Sequence, residues 1–324
     1  MLKHIRDPRD GGPPARDVVA SERRLRSRMS LPAAAARIMA VQYERVRATE
    51  KEVRAGTSIE AVHQMRVAIR RLRAALKLFR TPNTRDALAP WANDLREIGG
   101  VLGAVRDMDV LADGIRRSEQ HVPEDHDALQ VLLAAIAVQR ETRRAVMIHM
   151  LDGPLMDRFR SRFPALLEEL EATPGRTLRK AAPRLLKRHL VGVRQAHQAD
   201  VMTSTELHEL RIRCKRLRYA CEFVQDIYGD QLDAMIKTTT ALQDALGDVH
   251  DADVAPEILL SLLTAGEHVD APDAPASAPP LAAAALRLLV RRQQQRDSHL
   301  LQFRDVWEEL PARVRATPDD DRNE

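Results

Sequence analysis

HQMRVAIRRLRAALKLF, residues 63–79, and HELRIRCKRLRYACEFV, residues 208–224, are two versions of one pattern set 145 residues apart. His63 aligns with His208, Arg66 with Arg211, Arg70 with Lys215, Arg71 with Arg216, Leu72 with Leu217 and Arg73 with Arg218. Around the first copy Val62, Met65, Ile69, Leu72, Leu76 and Phe79 step 3-4-3-4-3, the spacing of a helix that buries one seam in a bundle. Leu207, Leu210, Cys214, Leu217, Cys221 and Val224 repeat those steps. One residue further on runs a cationic stripe: His63, Arg66, Arg70, Arg73 and Lys77, then His208, Arg211, Lys215 and Arg218, ending at Glu222. A one-residue offset is a rotation of about 100°. The cations therefore flank the seam and line a groove between helices.

A solvated helix face mixes signs, because opposite charges at i,i+4 stabilise it and like charges destabilise it. Residues 63–80 hold six Lys/Arg and no acid. Such a stripe costs stability unless an anion neutralises it, and its duplication points to two half-sites around one large anion. Arg71 and Arg216 share the pattern one residue beyond the stripe and are candidates for additional contacts, as is Lys77, which has Glu222 where a cation would match it.

A second segment follows each copy. LGAVRDMDV (102–110) and LGDVHDADV (246–254) begin 39 residues after His63 and 38 after His208, so a unit of about 145 residues is repeated. Asp-x-Asp suggests a metal, but Arg106 occupies the place of His250, and a guanidinium cannot ligate one. No metal and no cofactor are expected. Asp107, Asp109, Asp251 and Asp253 are instead expected to cap a helix start or pair with nearby cations. Gly103 and Gly247 suit a turn or a close helix crossing.

With 44% apolar residues, only 3% aromatics and no strict period-2 run, the chain is predicted to be all-α. No window approaches twenty uncharged apolar residues, so no membrane span and no membrane partner are expected. The N-terminus lacks the apolar core of a secretory signal, and Cys214 and Cys221 sit seven apart on one helix face as core residues. Both point to a cytoplasmic location. Residues 1–30 are read as disordered. Helices are predicted at about 32–54, 59–80, 84–103, 106–119, 125–150 and 155–171, then 177–199, 204–227, 230–247, 251–265 and 280–310. The halves are 31–172 and 176–312, with a flexible insertion at 266–280 and an acidic tail at 313–324.

Further cations recur at helical spacing: Lys180, Arg184, Lys187 and Arg194; Arg140, Arg143 and Arg144; Arg287, Arg291, Arg292 and Arg296. They are candidates for additional walls of the groove.

The two His-x-x-Arg helices and the Leu-Gly-x-Val-(Arg/His)-Asp-x-Asp-Val segments resemble the conserved histidine α-helical domain, the CHAD domain, over about residues 32–312. The resemblance implies two pseudo-symmetric four-helix bundles with a basic central cavity. It also implies binding of inorganic polyphosphate and, in some members, targeting to polyphosphate granules. Carried over by position, His63, Arg66, Arg70, Arg73, His208, Arg211, Lys215 and Arg218 are the expected ligand contacts. The chemistry agrees: polyphosphate offers only charged oxygens, which Arg grips bidentately and Lys meets as a point charge, and no bases need aromatic platforms. The rivals are an RNA-binding module, since phosphate contacts alone do not distinguish the polymers, and a phosphate-chain hydrolase using His63 or His208 as nucleophile. No catalytic function is expected. Histidine protonation would tighten binding as pH falls.

Overall fold

Ser30 starts the first helix, α1 (Leu31–Ala55), by accepting the Ala33 N–H at 3.2 Å, and Pro32 sits in the first turn, where its missing N–H costs nothing. Gly56 ends it at φ +70°, a conformation glycine adopts without strain. Ser58 then caps α2 (Ile59–Leu78), accepting from the Ala61 N–H. The computed structural model describes residues 24–119, 125–197, 202–266 and 278–311. Among these the regular structure continues as α3 (Arg85–Glu119), α4 (His126–Asp152), α5 (Pro154–Ala172), α6 (Leu178–Ala196), α7 (Ser204–Val224), α8 (Asp233–Gly266) and α9 (Ala278–Glu308). Besides helices there is an isolated antiparallel bridge between Ser30 and Thr177. The protein is all-α.

The two predicted seams are both buried. None of their twelve residues, from Val62 to Phe79 and from Leu207 to Val224, is more than 4% exposed. Each such aliphatic or aromatic side chain contributes about 1.5–3 kcal/mol by leaving water. Cys214 and Cys221 are free and buried, and burial pushes both thiols up to about 12. Helices α1 to α4 pack in chain order, as do α6 to α9, and α2 meets α7 while α1 meets α6. A satellite core of Met108, Ile115, Leu129, Ile136 and Leu288 joins α3, α4 and α9.

Three expectations need correction. The segments 102–110 and 246–254 do not divide two helices; both lie inside the uninterrupted α3 and α8. Leu102, Val105 and Met108, like Leu246, Val249 and Ala252, are buried on either side of the glycine. That burial outweighs the cost of one interior glycine, about 1 kcal/mol. It follows that the Asp-x-Asp residues cap nothing; their role is pairing, described below. Finally, residues 24–30 are packed, not disordered: Leu25 is 6% exposed, and its N–H donates to Asp226 at 3.0 Å. The remainder of the N-terminal segment, most of the 266–280 insertion and the 313–324 tail lie outside the described residues.

Helix α5 is held by an aromatic cluster. Trp91 meets Phe163 edge-on at 4.9 Å, Tyr43 stacks on Phe163 at 5.5 Å, and the Tyr43 hydroxyl donates to the Arg160 carbonyl at 2.9 Å.

Candidate anion-binding site

The cationic stripes of α2 and α7 come together where these helices meet. Lys215 records the convergence. Burial pushes its amine down to about 7, and Arg211, Arg70, Arg66 and Arg218 add to the effect, two from each helix. The Arg66 and Arg211 guanidiniums are lowered mainly by the same burial. His63, Arg66, Arg70, Arg73, His208, Arg211 and Lys215 are half-buried and Arg218 is buried, as the seam offset requires.

The glycines explain how the arginines fit. A Cβ on Gly103 would lie 3.6 Å from Arg66 Nε, and one on Gly247 would lie 3.7 Å from Arg211 Nε. Each copy therefore lays its arginine across the glycine of its own neighbouring helix. Arg73 lies in the same way on Gly99, which would place a Cβ 3.3 Å from its Nη1. Beside these crossings stand the acids. Asp107 is 4.0 Å from Arg66. Its carboxyl is pushed up, by burial first and also by Asp251 from the other half, although Arg66, Arg143 and Arg106 oppose that shift. The second acid of each motif braces a helix: Asp109 accepts from Arg140 at 2.6 Å and Asp253 from Arg296 at 2.5 Å. Thus one aspartate of each pair faces the cations and the other ties α3 to α4 or α8 to α9.

Across the interface Arg70 Nε donates to the Tyr219 hydroxyl at 2.7 Å. Arg71 pairs with Glu222 at 2.6 Å and lies over the Tyr219 and Phe223 rings at 5.4 and 5.3 Å. Glu222 is also 3.5 Å from Arg218. His208 Nδ1 lies 3.4 Å from His250 Nδ1. One of these nitrogens must donate and the other accept, so a hydrogen bond requires a neutral ring on at least one side. Burial, followed by Arg211 and His208, lowers the His250 pKa.

The secondary candidates divide. Arg292 of α9 is half-buried, lies against Gly114 and feels Asp251 and Asp248, the acids that also act on Arg211. Arg140 is engaged by Asp109. Arg144 donates to the Arg54 carbonyl at 2.7 Å and covers Gly56, so it closes the turn between α1 and α2. Arg291 faces Asp125, the partner of Arg287. Lys180, Arg184 and Lys187 are on the exposed face of α6, and Arg184 lines a different cavity. Lys77 and Arg216 are exposed near one another at the end of the α2 stripe.

Three contributors were not singled out from sequence: Tyr219, Glu222 as an ion-pair partner, and His250 as the neighbour of His208. Tyr219 had a signal, since it replaces Ala74 of the first copy in a chain poor in aromatics.

Fold and site together define an all-helical protein in which two cation-bearing helices, α2 and α7, meet. The CHAD domain family model matches residues 37–260, and the chain belongs to that family. The crystal structure of the CHAD domain from the plant Ricinus communis is similar, with a TM-score of 0.72 and 27% identity over 90% of this chain and 96% of that one. PptA from Streptomyces chartreusis shares the fold, with a TM-score of 0.65 at 13% identity over 86% of this chain and 99% of that one. Two uncharacterized proteins of Mycobacterium tuberculosis, MT2285 and Rv2226, are each 28% identical over 235 residues. That match covers 65% of this chain and 45% of those relatives, so the chain spans about half their length.

Proposed function

We propose that this protein binds inorganic polyphosphate in a basic groove between two pseudo-symmetric four-helix bundles, α1–α4 and α6–α9, that arose by internal duplication. The observation that carries the reading is the Lys215 cluster, in which α2 and α7 direct four arginines and a lysine into one partly buried volume. Concentrating like charges in a low dielectric is unfavourable without a counter-anion. A polymer with a charge on every unit supplies that counter-charge along both stripes at once. Membership in the CHAD family supports this ligand. The binding unit is residues 31–312, and organising or targeting to polyphosphate granules follows from the same site. The role is binding, not catalysis, with His208 spending its Nδ1 on His250.

The test is direct binding of long-chain polyphosphate across a salt series, with RNA as competitor, for the wild type and an Arg66→Ala/Arg211→Ala variant. Charge-assisted contacts are worth about 1.5 kcal/mol or more each, so the double variant is expected to bind about a hundredfold more weakly. Its salt slope should fall as two counterion-releasing contacts are lost. Binding that RNA abolishes and the variant leaves intact would sink the proposal. Release of phosphate from the polymer, with or without Mg²⁺, would move it to the hydrolase class.

A further inference from the structure

Beyond the end of α2 lies a cavity of about 520 Å³, separate from the Lys215 cluster. Leu78 and Leu185 form part of its apolar wall, and the exposed Arg80, Arg176, Arg184 and Arg188 surround it. Among the described residues, none that lines it is acidic.

The molecule shows what an equivalent niche holds. Ser30 and Thr177 occupy the N-cap positions of α1 and α6 and bridge to one another, and the bonds beside them are reciprocal: Leu31 N–H to the Arg176 carbonyl at 2.8 Å, Leu178 N–H to the Met29 carbonyl at 2.7 Å. In that register Arg184 corresponds to Arg37, and in the register of α2 and α7 Thr81 corresponds to Asp226. Arg37 and Asp226 both hold the chain's own extended segment. Arg37 donates to the Arg24 carbonyl at 3.2 Å, Asp226 accepts the Leu25 N–H at 3.0 Å, and the Leu25 side chain is buried. On the cavity side the preceding chain arrives differently, from α5. Asn83 donates to the Pro174 carbonyl at 3.2 Å, and Gly175 presses so closely on Pro32 that a Cβ would lie 2.7 Å from it. Among the described residues, the niche that Leu25 fills in one half therefore has no such side chain in the other.

Its chemistry has also changed sign. Asp226 becomes Thr81, Gln225 becomes Arg80 and Val41 becomes Arg188. We propose that this cavity docks a short acidic segment of a partner protein, with an aliphatic side chain against Leu78 and Leu185 and its carboxylates on Arg184 and Arg188. The peptide class follows from the niche filled by Leu25, and the acidity from the four arginines. Burial of one aliphatic anchor and pairing at an exposed rim make the interaction modest and salt-sensitive.

Fluorescence anisotropy with a labelled Glu-Asp-Leu-Glu-Asp peptide tests this. Saturable binding to the full chain is expected, weakened roughly tenfold or more by Arg184→Ala/Arg188→Ala, by Ala181→Trp, which fills the cavity, and by Leu→Ser in the peptide, a loss of at least about 1.4 kcal/mol in each case. The arginine variant changes only exposed side chains, and so reports even if Ala181→Trp does not fold. Arg66→Ala/Arg211→Ala should leave peptide binding unchanged, which separates this site from the polyphosphate groove. Equal affinity for the Leu→Ser peptide would reduce the effect to bulk charge and overturn the proposal. So would saturable binding of laurate or citrate in the cavity without any binding of the peptide.

Discussion

The end of α2 and the end of α7 start from one pattern and arrive at opposite electrostatics. On one side of the interface Arg71 meets Glu222 at 2.6 Å, screened by the Tyr219 and Phe223 rings. The corresponding residues of the other copy are Arg216 and Lys77, and these are two cations. Lys77 is held below its ordinary pKa by partial burial first, then by Arg216, Arg73 and Arg96. The stripe of α7 thus ends in an internal salt bridge, while that of α2 continues positive for about 10 Å past Arg70, given a rise of about 1.5 Å per residue. The two copies of the sequence pattern match at their middle and part at their ends. A cation already paired within the protein serves the fold, whereas the pair left unneutralised has its counter-charge still to find. On the polyphosphate reading, the phosphate chain leaves the centre along α2.

The largest effect is expected from Glu222→Lys, which gives α7 the residue of α2. It strips Arg71 and Arg218 of their acid and adds a cation between them. Loss of about 2–3 kcal/mol in chemical unfolding is expected, with part restored by added polyphosphate through mass action. Unchanged stability would show that the Arg71–Glu222 contact does not distinguish the two edges.

Lys215→Met tests the shared centre. In the folded protein the Lys215 amine loses its proton near pH 7, and in the unfolded chain near its ordinary value of about 10.4. Between these the unfolded state binds more protons, so this group makes the free protein more stable as pH rises from 7 toward 10. A bound anion favours the charged amine, so affinity for polyphosphate falls over the same interval. The methionine variant should lose both trends, melt roughly 2–4 °C higher at pH 7 and bind polyphosphate more weakly. A lower melting temperature without ligand would contradict the account.

Gly103→Ala and Gly247→Ala measure the clearance under Arg66 and Arg211. A methyl at 3.6–3.7 Å is ordinary contact, so helix propensity decides and each change should stabilise by up to about 1 kcal/mol with binding retained. Gly103→Leu, by contrast, should displace Arg66 and weaken binding in the same titration.

The smallest effect belongs to Lys77→Glu, which copies the α7 arrangement onto α2. An exposed pair with Arg216 contributes at most about 0.5–1 kcal/mol. Affinity should fall for long polyphosphate and change little for short chains that reach only the centre. A uniform loss at all lengths would refute the polarity of the groove.

Much of this was legible in the residues. Every position of the 3-4-3-4-3 seam in α2 and α7 is buried, because helical periodicity and burial are coupled within a single element; Ala68, Ala75, Tyr219 and Phe223, buried beside the seam, lie outside that pattern. The offset stripe placed His63, Arg66, Arg70, Arg73, His208, Arg211 and Lys215 at half-burial for the same reason. The break predicted at Gly103 and Gly247 failed because glycine's cost is local, whereas the apolar contacts that carry α3 and α8 through it come from other helices. The further arginines on α4, α6 and α9 could not be sorted from sequence. Whether Arg140 meets Asp109, Arg144 the Arg54 carbonyl, or Arg292 the acids near Arg211 depends on neighbours 31 to 90 residues away.

By itself the sequence determined the helical class, the family, the recurring motif, and which faces of α2 and α7 are apolar and which cationic. Only the tertiary structure decided that both stripes converge on Lys215, that Asp107 and Asp251 approach from opposite halves, that Glu222 closes one edge, and that Leu25 fills one niche while its counterpart has no such side chain among the described residues. The physical reason is range. Periodicity is written in neighbours three and four apart, while the contacts that turn a charge pattern into a site are set by how distant helices pack.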